Sequence, residues 1–224
     1  MVSSECTDLF IKNFSFWNHL SQQEKELLCN NTTIIKYKKG SRLQNGNYNC
    51  LGFILLKSGQ LRTFMLSDDG REITLFRIFP GDTCILSASC VLDAITFDVF
   101  IDAEEDSEVL VIKSSVFKEL SEKNIYVEAF GYKLATSRFS DVMWAMQQIL
   151  FMAVDRRLAI FLVDELSKRE SDDIKLTHEQ IAKYMGTARE VVTRMLKYFA
   201  SEGIVELYRG GIKVIDKKKL RALI

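Results

Sequence analysis

The sequence predicts an α+β protein with three parts: an N-terminal β-roll, a long apolar helix and a C-terminal winged helix-turn-helix. Three observations carry this prediction. Strand-like runs alternate with glycine turns in the first half, an apolar seam at heptad spacing follows, and two helix-start signals lie close together near the C-terminus. Because the hydrophobic period differs between these segments, each is expected to form its own kind of element.

The strongest local signals lie in LTHEQIAKYMGTAREVVTRMLKYF, residues 176–199. A Thr followed three residues later by Gln or Glu has the spacing of a capping box. The segment contains two such pairs, Thr177 with Gln180 and Thr187 with Glu190. We therefore expect a helix from about His178 to Met185, closed by Gly186 at positive φ, and a second helix from Ala188. Two short helices joined by such a turn form a helix-turn-helix.

The second helix has two chemically distinct faces. Its core stripe at helical spacing consists of Val192, Met195, Leu196 and Phe199. The opposite side carries Arg189, Glu190, Thr193, Arg194 and Lys197. An Arg can bond O6 and N7 of guanine together, and a Glu can accept from N4 of cytosine, so this face suits the reading of base edges. The alternative is an ordinary solvated face, with Glu190 serving only as a cap.

A hairpin and a basic end follow the second helix. In EGIVELYRGGIKVI, the apolar runs Ile204–Leu207 and Ile212–Ile215 flank a turn with two glycines, which predicts a hairpin or wing with Arg209 near its tip. From Arg189 onward nine Lys and Arg oppose four acids, a charge of +5 in a chain whose net charge is zero. A basic end suits a partner with phosphates. A plain hairpin and a solvated tail are the alternatives.

The first half of the chain is organised by glycines. Gly40, Gly59, Gly70 and Gly81 separate strand-like runs, and short strands at regular spacing predict an all-β sandwich or barrel. We expect this β-roll to cover about residues 30–113, with a short helical segment, Phe16–Asn30, before it. A helix at Ser115–Leu120 should follow it.

A long helix is expected over Val127–Phe151. Its heptad seam of apolar or small residues comprises Ala135, Phe139, Val142, Met146, Ile149 and Ala153. A helix that is apolar on two faces must be covered on both, and a second copy of the same helix is the simplest cover. The alternative is a helix covered wholly by its own chain.

Composition excludes several classes of protein. Hydrophobic residues make up 47% and charged residues 27%, which is typical of a globular domain. No apolar run approaches the ~20 residues of a membrane span, and the N-terminus has no secretion-signal pattern. Five Cys without a scaffold pattern predict free thiols in the cytoplasm. Two His and no nucleophile–base–acid group argue against an enzyme.

The order of these parts resembles the Crp–Fnr family of bacterial transcription regulators. The resemblance covers nearly the whole chain and is most specific in residues 176–205; LLKSGQLRTFMLSDDGREITLFRIFPGD and DRRLAIFLVDEL also match. It implies a cyclic-nucleotide-binding-like effector domain at 1–126, a dimerisation helix at 127–152 and a DNA-binding domain at 153–224. It further implies a homodimer that binds an inverted repeat in double-stranded DNA and contacts RNA polymerase.

The resemblance also indicates which residues contact DNA. Arg189, Glu190 and Arg194 match the base readers of the cyclic-AMP receptor branch, whereas the Fnr branch lacks an equivalent of Arg189. The full set of candidate DNA-binding residues is Arg189, Glu190, Thr193, Arg194, Lys197, Thr187, Thr177 and Arg209.

The family's effector sites do not carry over to this chain. The Gly-Glu and Arg-Ser pairs that hold cyclic AMP are missing: Thr96 and Phe97 stand near the Arg-Ser position, and Arg is absent from Thr83 to Glu122. A buried cyclic phosphate without a cation would be disfavoured. An iron–sulfur cluster lacks closely spaced N-terminal thiolates, and two His support haem only weakly. The effector is thus unknown.

Cys84 and Cys90, in TCILSASCVL, leave one question open. A thiol switch or soft-metal site is one interpretation, and small buried thiols without a role are the other. The competing function is accordingly a thiol- or ligand-sensing module whose helix-turn-helix mediates protein contacts.

Overall fold

The structure is a computed structural model that describes residues 4–45, 51–68, 70, 72–86, 98–168 and 171–224. The chain forms two compact units. One comprises Met1–Leu66 with Leu75–Val142, and the other comprises Ser67–Thr74 with Met143–Ile224. The domain boundaries at residues 126 and 152 stay a prediction, because the contacts divide the long helix between the two units.

Helices precede the first strand. They are α1 (Ser4–Asn13), a 3₁₀ turn (Trp17–His19) and α2 (Gln22–Asn30). The helical segment expected at Phe16–Asn30 is present as the 3₁₀ turn and α2, whereas α1 was not foreseen. Ser21 and Glu24 form the capping box that begins α2. Phe10 and Phe14 stack at 5.0 Å in the buried cluster under these helices.

Within the described residues of the first half, eight strands form two four-stranded sheets. They are β1 (Thr32–Tyr37), β2 (Arg42–Asn45), β3 (Phe53–Ser58), β4 (Leu61–Leu66), β5 (Glu72–Ile78), β6 (Thr83–Cys84), β7 (Phe100–Ala103) and β8 (Ser107–Ile112). One sheet has the order β1-β8-β3-β6 and the other β2-β7-β4-β5. The described strands therefore span the β-roll region expected at about residues 30–113.

The central strand β3 is buried on both faces, because its side chains alternate between two cores. Phe53 and Leu55 join the cluster under the N-terminal helices, and Ile54 and Leu56 join the cluster between the sheets. Gly59, at φ 88°, turns the chain from β3 into β4, and a Cβ there would lie 2.6 Å from the carbonyl oxygen of Asp106. Only Gly fits this turn.

Two helices follow the β-roll: α3 (Ser114–Lys123) and α4 (Ile125–Phe151), which has 27 residues. The inner face of α4 packs on the first unit through Val127 and Gly131, which are buried. Its large exposed apolar side chains include Tyr132, Phe139, Met143, Trp144, Met146, Leu150 and Phe151. A continuous apolar surface of this kind on one helix is typical of an interface.

Two details of the predicted seam are wrong. Ala153 lies outside α4, since it is the N-cap of the next helix, α5 (Val154–Ser167). Val142 packs against the cluster between the two sheets, so a charge introduced there would disturb the core rather than a dimer. Phe139, with 64% of its surface exposed, is the better representative of the outer face.

The C-terminal part is a compact set of short elements around one core. After α5 come β9 (Asp173–Ile174), α6 (His178–Met185), α7 (Arg189–Ser201), β10 (Val205–Tyr208), β11 (Gly211–Val214) and α8 (Lys217–Ala222). The three strands form a sheet of order β10-β11-β9. Among the residues that the structure describes, no helix is both long and apolar enough to cross a membrane.

Candidate nucleic-acid interface

Helix α6 begins and ends where its local signals predict. The Thr177 hydroxyl accepts from the Gln180 amide at 3.2 Å, and the Gln180 side-chain oxygen accepts from the Thr177 amide at 2.9 Å, which completes a capping box. Gly186 closes the helix in the left-handed conformation, at φ 59° and ψ 46°. The predicted helix His178–Met185 and its glycine closure are confirmed.

The second predicted capping box is wrong. Helix α7 begins at Arg189 with Ala188 as its N-cap, and no side chain caps it. The Thr187 amide instead donates to the Ala182 carbonyl oxygen at 3.0 Å, in the 6→1 pattern that ends α6. Because Thr187 belongs to this closure, its hydroxyl stands one residue too early to cap α7. Glu190 therefore does not take part in a capping box, and its side chain is exposed to solvent.

Helix α7 has the two faces that the sequence predicts. Val192, Leu196 and Phe199 are fully buried in the C-terminal core, and Met195 packs against the same cluster. This burial fixes the rotation of the helix about its axis. The polar residues of α7 must therefore face away from the core.

Those polar residues line one shallow depression of about 470 Å³: Arg189, Glu190, Thr193, Arg194 and Lys197. Four are exposed and Thr193 is half-buried. Three cations and one carboxylate give this surface a net positive charge. The structure thus brings together, on one helix, five of the eight side chains that the sequence assigns to DNA contact.

A contact that sequence reasoning missed joins the two helices. The His178 Nδ1, at the start of α6, lies 2.9 Å from the Thr193 hydroxyl oxygen. Burial lowers the pKa of His178, and the charges of Arg189 and Lys197 lower it further. The neutral imidazole is thereby favoured. The two residues are fifteen positions apart on different helices, so no local signal announces their contact.

Arg157 stabilises the helix-turn-helix from its buried side. It is buried in α5, and its guanidinium donates to the carbonyl oxygen of Met185, at the last turn of α6. Burial lowers its pKa, although an Arg remains charged in water at neutral pH. A cation at a helix C-terminus also satisfies a carbonyl that α6 cannot pair internally. Arg157 therefore positions the turn rather than the outer face.

The predicted wing is present as β10 and β11. Tyr208 pairs with Gly211 across a two-residue turn of Arg209 and Gly210, with Gly210 at φ 89°. Arg209 is exposed at the tip. The third strand, β9, pairs Ile174 with Ile212 and Asp173 with Lys213, which anchors the wing to the core.

The other candidate residues are placed as follows. Thr177 is exposed and its hydroxyl serves the α6 cap. Cys84 is fully buried in β6, opposite Ile54, whereas Cys90 lies outside the described residues, as do Thr96 and Phe97. No group of three or more potential metal-ligating side chains occurs within the described ranges. The interpretation of Cys84 and Cys90 as a thiol or metal site therefore stays untested, because Cys90 lies outside the described residues.

Two protein families match this chain. Residues 156–223 match the Crp-like helix-turn-helix domain, and residues 34–124 match the cyclic nucleotide-binding domain. The first range runs from α5 to the end of α8. The second runs from β1 to Asn124, the residue between α3 and α4. Together they cover both parts of the fold.

Individual relatives agree. The chain is 26% identical to the transcriptional activator protein FnrA of Stutzerimonas stutzeri, over 98% of this chain and 92% of that protein. It is 27% identical to the cyclic AMP receptor protein of Thermus thermophilus, over 75% and 77%. A crystal structure from Eubacterium rectale, assigned to the crp/fnr family of transcriptional regulators, superposes with a TM-score of 0.89 at 45% identity, covering 95% of this chain and 98% of that one. The chain thus belongs to the Crp–Fnr family of DNA-binding transcription regulators and is not an enzyme.

Proposed function

We propose that this regulator binds an inverted repeat in duplex DNA as a homodimer, with α7 in the major groove. One observation carries the proposal: the exposed face of α7 gathers three cations and one carboxylate, beside a wing with Arg209 at its tip. In a helix-turn-helix, the second helix lies in the major groove and its N-terminal residues contact base edges. The cytoplasm is where such a protein would meet DNA and its further proposed partner, RNA polymerase.

The four charged side chains on this face each have a proposed role. Arg189 and Arg194 would each bond a guanine edge, and Glu190 would accept from a cytosine amino group. Arg189 and Glu190 lie in the first turn of α7, the part of a recognition helix that reaches base edges. The half-site should then contain a GTGA-like core. Lys197 and Arg209 would contact phosphate, as would the N-terminal residues of the helix-turn-helix, Thr177 and Thr187.

The dimer is proposed to form through α4. Its exposed apolar face runs from Tyr132 to Phe151, and a second copy of that face is self-complementary in a two-fold arrangement. Two recognition helices related by such an axis meet successive major grooves about 34 Å apart. This spacing requires an inverted repeat with half-sites one helical turn apart.

The effector is proposed to be chemically different from cyclic AMP. The relative from Thermus thermophilus is a cyclic AMP receptor protein, but this chain has no Arg between Thr83 and Glu122 to pair with a cyclic phosphate. The same fold can host different ligands, because ligand choice depends on the residues of the site and not on the fold.

The test is selection of duplexes from a random pool by the wild type, Arg189→Ala and Lys197→Ala. Arg189→Ala should cost about 1–3 kcal/mol per half-site and relax the preference at one base pair. Lys197→Ala, the matched cation on the same helix, should weaken all sequences alike and lower the salt slope by about one.

Two results would contradict the proposal. If Arg189→Ala weakens every duplex equally, Arg189 is a backbone contact and the base-reading assignment is wrong. If binding of the wild type does not weaken steeply with salt, the helix-turn-helix contacts protein instead, as in the competing function.

A further inference from the structure

One contact at the interface is not used by the base-reading roles. The His178 imidazole lies with Nδ1 2.9 Å from the hydroxyl oxygen of Thr193, which is the half-buried member of the α7 face. The ring thus reaches from α6 to the middle of the surface that would meet DNA. A His is the side chain whose charge changes most readily near neutral pH.

The charges around this ring all favour its neutral form. Partial burial has the largest effect, and Arg189 and Lys197, one on each side of Thr193 along α7, add to it with positive charge. The nearest acids in sequence, Glu179 on α6 and Glu190 on α7, are both exposed to solvent. Among the described residues, the charges that act on the ring are therefore the two cations.

We propose that His178 couples DNA binding to proton uptake: neutral in the free protein, its ring gains a proton when DNA phosphates approach the face formed by Arg189, Thr193 and Lys197. The inference rests on the proposed role of α7 as the helix that enters the groove. Each phosphate that approaches offsets the positive charge of Arg189 and Lys197 at the ring, which shifts the balance toward the charged imidazolium.

The proton also changes what Thr193 can do. In the imidazolium both ring nitrogens are donors, so the Thr193 oxygen must accept from Nδ1. Its own hydroxyl proton is then free to point away from the ring and donate to a phosphate or base oxygen. Protonation of His178 thus adds one positive charge and orients one donor at the interface.

The sign of the pH dependence follows from linkage. Because the bound state holds more protons than the free state, DNA affinity increases as pH falls. For each unit by which DNA raises the pKa of His178, binding at low pH strengthens about tenfold per subunit. With two subunits, the limiting slope is about two protons per dimer.

The test exploits the fact that the chain has only two histidines. Affinity of the full-length protein for its selected duplex is measured at constant ionic strength from about pH 8 to pH 5.5, the range in which imidazole titrates. The variants are His178→Gln, Thr193→Val with Thr193→Ser as its rescue, and His19→Gln as the matched control. His19 lies on the N-terminal 3₁₀ turn and stacks on Tyr126 at 3.7 Å.

We expect affinity of the wild type and of His19→Gln to increase toward low pH, and that of His178→Gln to change much less. Thr193→Val should reduce the increase, and Thr193→Ser should restore it. If His178→Gln keeps the full pH slope, the proposal is overturned. If the wild type binds no duplex at any pH, the proposed function itself has failed, which is a separate result.

A direct measurement guards against a variant that does not fold. The wild type should give two imidazole Cε1–H resonances by NMR, one for each His, and His19→Gln identifies the one that belongs to His178. Addition of duplex should move the titration of that resonance to higher pH and leave the other unchanged. An unchanged His178 titration would overturn the proposal without any substitution at the interface.

Discussion

Replacement of Gly186 by Ala should destabilise the helix-turn-helix by about 1 kcal/mol. Gly186 has φ 59° and ψ 46°, and an L-residue in this left-handed conformation costs about 1–2 kcal/mol. A Cβ would meet no obstacle, since its nearest neighbours, Ile149 and Ile73, would lie 3.6 Å away. Ala also lowers the conformational entropy of the unfolded chain, which offsets roughly 0.4–1 kcal/mol of this cost. The difference leaves a net loss of about 1 kcal/mol.

Amide hydrogen exchange of the full-length chain measures this loss where it occurs. Exchange in α6 and at the start of α7 should accelerate about fivefold, which corresponds to about 1 kcal/mol. Asn tolerates the left-handed conformation better, so Gly186→Asn should cost less than Gly186→Ala. Gly203→Ala is the matched comparison, because Gly203 also has a positive φ, 69°, with nothing within 4 Å of its Cβ, so a similar loss of stability there would come from backbone conformation alone. A neutral or stabilising Gly186→Ala would refute the argument from backbone conformation.

Two further predictions concern the dimer and the pH dependence of stability. Phe139→Glu should yield monomers by light scattering, because it places like charges across the exposed face of α4. Lys133→Glu, a change at another exposed position of this helix, should remain a dimer. A dimeric Phe139→Glu would show that the interface does not include this face. In the free protein the lowered pKa of His178 means that the unfolded chain binds more protons, so stability should decrease as pH falls through about 6.5. The melting temperature of His178→Gln should depend less on pH in that range, and an equal dependence would contradict this assignment.

The start and end of α6 were predictable because every determinant is local. A Thr cap, a Gln three residues later and a Gly at the closure act over ten residues, and nothing distant overrides them. The start of α7 was mispredicted for a related reason. Thr187 could either close α6 or cap α7. Its amide donates to the Ala182 carbonyl oxygen and closes α6, so its hydroxyl does not cap α7.

Features that depend on residues distant in sequence could not be predicted from local sequence patterns. Strand β9 has two residues and exists only because β11 offers it an edge, so no period in the sequence marks it. Helix α1 has an apolar face that becomes recognisable once the aromatic cluster beneath it is known. The bond between His178 and Thr193 likewise requires the packing angle of α6 on α7. Core positions of α7 were predicted, but which polar residues touch one another was not.

The placement of the two tryptophans makes this protein its own optical reporter. Trp17 is 5% exposed within the N-terminal cluster, and Trp144 is 46% exposed on the outer face of α4. The chain has no other Trp, so the winged helix-turn-helix contributes no tryptophan emission. In the proposed dimer, a change in emission on dilution would come from Trp144 as the α4 faces separate, while a change on denaturation would also include Trp17. Association of subunits and unfolding of the N-terminal unit could thus be followed in an unlabelled sample, and substitutions in α7, which contains no Trp, leave both reporters in place.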